Sequence, residues 1–155
     1  MTAEYFAHLY EYDIAENRKV LAHLQTLQEV DDRTRSVFAH LLQAKRLWLW
    51  RMRGDNYKGL VIWPEFSWDE CEQLIGENET GWSAFLAGLS DEDLLRSVAF
   101  QDSLGVGYEM PVRDILSHVL FHGSYHRGQI AAAVRAAGSE PVRTDYILYA
   151  RNGGK

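Results

Sequence analysis

The chain has one cysteine, Cys71, among 155 residues, which excludes an internal disulfide and any zinc cluster built on cysteine. It also lacks a basic excess. The formal net charge is −6, whereas nucleic-acid binding selects clustered lysine and arginine. No Lys/Arg-rich amphipathic face reads as a membrane-surface binder. No apolar run approaches the roughly 18 residues that a membrane span needs. The opening segment Met1-Thr-Ala-Glu-Tyr-Phe-Ala-His8 carries an acid and no continuous apolar core, so it does not read as a signal peptide. Internal repeats, low-complexity stretches and interdomain linkers are missing too. These absences point to one soluble, cytoplasmic domain over residues 1–155, with no nucleic-acid or membrane partner.

What is present is helical. Hydrophobic residues make up 46% and charged residues 25% of the chain, ordinary values for a folded domain. The first apolar stripe, Phe6, Tyr10, Ile14, Leu21, Leu24 and Leu27, has helical spacing and predicts a helix from about Thr2 to Leu27. Asn17 interrupts that stripe. A second helix follows Asp31 and Asp32 and stops before Gly54, with Val37, Leu41, Ala44, Trp48 and Met52 facing inward and His40 beside them. Ser67 and Glu70 form a capping box that opens a third helix, with Trp68, Cys71, Leu74, Ile75, Asn78, Trp82 and Phe85 on its buried side. A fourth is expected from Pro111 to Gly138. Residues 55–66 read as an irregular crossover, and the alternation around Val98 and Phe100 as a small hairpin or extended loop. The tail around Tyr146 and Tyr149 is expected to pack back on the bundle. The fold class is therefore all-α, a four-helix bundle with a longer crossover and a small hairpin before its last helix.

Three of the six histidines, His118, His122 and His126, recur every fourth residue. Four residues on a helix turn a side chain by only about 40°, so the three share one broad face. Neutral imidazoles clustered in this way suit a divalent transition metal. At about 100° per residue, His122 and His126 fall within the inward stripe of Ile115, Val119, Ile130 and Ala133, whereas His118 and Gln129 lie toward its edge. Spacing alone leaves the pair open to a second reading as boundary histidines, which is also the reading for His8 and His23. A metal site needs a third ligand, and His40 is the natural choice from another helix. Three nitrogen ligands leave a coordination position for water or substrate, the mark of a catalytic metal. Zinc, nickel and iron all accept such a set.

The segment His122-Gly-Ser-Tyr-His126-Arg127-Gly128-Gln129 closely resembles the HxxxHRGQ signature of the DinB/YfiT-like metal-binding four-helix bundles. Asn17, the stretch from His40 to Trp48 with Arg53-Gly54, and the stretch from Gly138 to Tyr146 resemble other parts of that family in order. The resemblance implies that His40, His122 and His126 are metal ligands, with zinc or nickel as the usual occupant, and that the protein is a homodimer. It further implies a thiol-dependent S-transferase that uses bacillithiol, mycothiol or glutathione against small electrophiles in detoxification or a stress response. The alternatives are a metal-dependent hydrolase of a small amide or ester, and a non-catalytic metal-binding stress-response protein. Asn17 is a candidate to assist a metal-bound thiol or water. Its other reading is a buried structural amide. Arg127 is expected to pair with an acid on a neighbouring helix or to be a surface charge, Gly128 to allow close helix approach, and Tyr125 to lie at an interface or the surface. Cys71 reads as a small core residue, and Trp48 or Trp82 as a pocket wall.

Overall fold

The first three long helices each start where a side-chain oxygen satisfies a free backbone N–H. In the computed structural model, which describes residues 1–154, the Thr2 hydroxyl accepts from the Tyr5 N–H and opens α1 (Ala3–Thr26). The Asp31 carboxylate accepts from the Thr34 N–H and opens α2 (Asp32–Arg53). Ser67 and Glu70 close the expected capping box at the head of α3 (Trp68–Ala87). A hairpin of β1 (Ser97–Gln101) and β2 (Gly107–Pro111) then leads into α4 (Val112–Ala136), and a short α5 (Tyr146–Arg151) ends the fold. Pro111 caps α4 rather than occupying its first turn, because it closes β2 opposite Ser97. Gly138, at φ 86°, takes the left-handed conformation that stops the helix. Among the described residues, no helix is long and apolar enough to cross a membrane.

Around the bundle the order is α1, α3, α2, α4, so α1 faces α2 across a diagonal. Two apolar clusters fill the interior. One gathers Ile14, Leu24, Phe38, Leu42, Leu74, Ile75, Ile130 and Val134, the other Phe6, Tyr10, Leu49, Trp82, Ile115, Leu116 and Val119. Along α1, α2 and α4 the boundary between these clusters falls at Asp13, at Lys45, and at His122 to Arg127 respectively, with Asn17 one turn beyond Asp13. A polar layer therefore crosses the middle of the bundle. The tail does pack back. The Tyr12 hydroxyl donates to the Thr144 carbonyl at 2.6 Å, and Tyr149 is buried.

Candidate metal centre

Helix α2 presents His40 to the groove that it shares with α4, and α4 presents His122 and His126 from successive turns. One ring nitrogen from each of the three lies within 4.8 Å of the others. The Nε2 atoms of His122 and His126 are 3.1 Å apart. On a tetrahedral zinc with bonds of 2.0–2.1 Å, ligand nitrogens sit about 3.3 Å from one another. The spacing of this pair fits the ion.

Outward hydrogen bonds set two of the tautomers. The Ile62 carbonyl can only accept, so His40 Nδ1 donates to it at 2.9 Å and Nε2 is left as a bare lone pair. His126 Nδ1 donates in the same way to the Gln129 side-chain oxygen at 2.8 Å. Burial favours the neutral form of two of the imidazoles. It lowers the His40 pKa below the usual value and pushes His122, which also faces His126 and His40, down to about 4. Neutral imidazoles with fixed, convergent lone pairs are what a transition metal binds. Trp63, in the crossover between α2 and α3, stacks on His40 with ring centres 3.7 Å apart and planes 6° off parallel, yet is 52% exposed. The crossover that fixes the His40 tautomer also screens its ring, and Gln43 pins that crossover through the Val61 carbonyl.

The chain as a whole has known relatives. A family model described as the DinB family matches residues 1–153. The chain belongs to the DinB family. It is 27% identical to Protein DinB of Bacillus subtilis (strain 168), over 91% of each protein. Its fold is similar to the crystal structure of a DinB-like protein from Bacillus cereus ATCC 10987, with a TM-score of 0.69 and 22% identity over 92% of this chain and 97% of the other.

Within this DinB-family bundle most of the residues singled out lie where the sequence suggests, and Gly128 and His23 do not. His118 stays outside the cluster, as its angle implies, with its ring 5.6 Å from His122 and edge-on to Trp48. Asn17 reaches neither the imidazoles nor their open side. Its amide nitrogen donates to Asp13 and its oxygen accepts from Arg127, so its role is that of a buried structural amide. Arg127 does find an acid on a neighbouring helix, Asp13, at 2.6 Å. Gly128 is exposed and packs against nothing. The close approach is made by Gly123, where a Cβ would lie 2.6 Å from Asp13 Oδ1. His8 is a boundary residue among Tyr5, Tyr146 and Tyr149. His23 is not a satisfied one, since its Nε2 is buried and has no hydrogen-bond partner among the described residues. Cys71 is a fully buried core residue, and Tyr125 is exposed. Two features escape sequence reasoning, the Trp63 stack and the part that Asp13 and Lys45 play in the ion cluster. The signals for the cluster are Asn17 breaking an apolar stripe and the expected acid partner of Arg127.

Proposed function

We propose that the chain is a metal-dependent enzyme that holds one zinc or nickel ion on His40, His122 and His126 and transfers a low-molecular-weight thiol to small electrophiles. The observation that carries the metal half of this reading is the convergence of three imidazoles, two of them with tautomers set by outward hydrogen bonds. Bound by neutral ligands only, such a dication keeps its charge for an exogenous ligand and draws a thiol or water into its nucleophilic, deprotonated form near neutral pH.

The chain's own residues orient and shield. Ile62 and Gln129 keep Nε2 of His40 and His126 aimed at a common point. Trp63 keeps water off one face of His40. Among the described residues no carboxylate joins the three-histidine group, so an anionic ligand there competes with no carboxylate for the ion. The choice of thiol over water rests on the family resemblance. Metal-loaded protein should be incubated with bacillithiol, mycothiol or glutathione and monochlorobimane, and conjugation read by fluorescence. Turnover that disappears in His122→Ala supports transfer. Ester cleavage without thiol turnover would replace it with hydrolysis, and neither activity would leave a non-catalytic metal protein.

A further inference from the structure

We propose that Asp13, on a helix that supplies no metal ligand, is the positioning residue of the three-histidine site. This rests on the reading of His40, His122 and His126 as ligands. Asp13 is 0% exposed, Arg127 2% and Lys45 3%. Its Oδ1 accepts from Arg127 Nη1 at 2.6 Å, and its Oδ2 faces Lys45 Nζ at 2.6 Å. Asn17 closes the cluster by donating to Asp13 and accepting from Arg127. One carboxylate on α1 is thus tied to both helices that carry the histidines.

The attachment points lie next to the ligands in sequence and behind them in space. On α4, Gly123 follows His122 and Arg127 follows His126, each turned about 100° from its neighbour. The row of His122 and His126 faces α2, while the row of Gly123 and Arg127 faces Asp13 on α1. Gly123 lets the α4 backbone settle against the carboxylate, because any Cβ there would collide with Asp13 Oδ1 at 2.6 Å and crowd Arg127 Nη1 at 3.3 Å. On α2, Lys45 comes five residues after His40, about 140° around the helix, and reaches Asp13 across the bundle diagonal. Asp13 therefore holds α2 and α4 from the rear and fixes how far His40 stands from His122 and His126. Apolar packing above and below the layer sets no such distance, since helix ridges can repack with small shifts.

The test uses the full chain and compares Asp13→Asn, Lys45→Met and Gly123→Ala with Leu74→Ala, a truncation on α3 within the first apolar cluster. Zinc affinity is read by competition with a chromophoric chelator, and coordination geometry by the visible absorption of the cobalt(II) form. Folded Lys45→Met and Gly123→Ala should bind zinc about tenfold or more weakly, a loss typical of disturbed ligand support, with altered cobalt bands. Leu74→Ala should lower Tm and keep the wild-type affinity and bands. Because Gly123→Ala keeps every charge and Lys45→Met removes only one, the outcome stands even if Asp13→Asn fails to fold. Wild-type affinity and cobalt bands in both folded variants would overturn the proposal. So would an equal loss of affinity in Leu74→Ala. If the wild-type chain takes up no zinc at all, the three-histidine reading falls and the positioning role falls with it. Zinc uptake that is indifferent to all three variants removes the positioning role alone.

Discussion

Two buried cations share one buried carboxylate, so the three charges of the central layer should respond very differently to removal. Asp13→Asn leaves Lys45 and Arg127 facing each other without a counter-charge. Breaking a buried pair in this way costs about 3–5 kcal/mol, and losing the partner of two cations places this change at the upper end. That is a large share of the roughly 5–15 kcal/mol that stabilises a domain. Lys45→Met removes one ion whose burial itself cost several kcal/mol, and Asp13 keeps Arg127 at 2.6 Å and Asn17 at 3.2 Å. It also loses the ammonium stacked 4.4 Å from the Tyr10 ring centre, a contact worth about 0.5–2 kcal/mol. The two effects nearly offset, and a net cost near 1 kcal/mol is expected. Arg127→Met falls between, because it strips hydrogen bonds from Asp13, Asn17 and Ser124. Urea denaturation at pH 7 gives the three values directly. A Lys45→Met cost equal to or above that of Asp13→Asn would refute this account of the layer. Acid adds a second check. Burial alone would raise the Asp13 pKa, but Lys45 and Arg127 outweigh it and hold the carboxyl below its ordinary 3.8. The folded value lies below the unfolded one, so this stability is complete above the unfolded value and is lost as pH falls through the folded one. The gap between wild type and Asp13→Asn should stay flat down to about pH 5 and close only below about pH 4.

Two further outcomes are expected. The purified wild-type chain should bind close to one equivalent of zinc or nickel, and His122→Ala/His126→Ala should bind none, because it removes two of the three convergent ring nitrogens; elemental analysis after gel filtration decides this, and unchanged metal content would refute the site. The Cys71 thiol, fully buried and pushed up to about 12 mainly by that burial, should react with a chromogenic disulfide reagent at pH 8 only as fast as the protein opens, so rapid stoichiometric reaction of the native protein would contradict its placement.

What could be read from the sequence was whatever is local to one helix. The Ser67–Glu70 capping box and the 3–4 repeats fix where the helices run, and both signals span only a few residues. The His122/His126 half-site is legible for the same reason, since four residues on one helix determine a shared face. His40 could be added because it lies beside the inward stripe of α2. The features that escaped depend on pairing distant segments. Asn17 visibly breaks the stripe of α1, yet its partner Arg127 is 110 residues away, and nothing local chooses between an imidazole and a guanidinium. Gly123 and Gly128 both follow a histidine within two residues, but five residues rotate a helix by about 140°, and only the packed bundle shows which of them meets α1. Trp63 sits in an irregular crossover, where no periodicity exists to say which way a side chain turns.

Stability is a poor account of why the central layer carries ions at all. Well-packed apolar residues of similar size often do as well or better in such a position, and this bundle already has an apolar cluster on either side of the layer. Directional hydrogen bonds supply something that apolar packing does not. A slip of α4 by one turn, about 5.4 Å, would keep much of its apolar face buried, but it would carry Arg127 beyond reach of Asp13 and bring a side chain rather than Gly123 against the carboxylate. Three nitrogen atoms from two helices must stay within 4.8 Å of one another, a tolerance smaller than that single turn. The layer admits one register of α1, α2 and α4, and that register is the one in which the histidines meet.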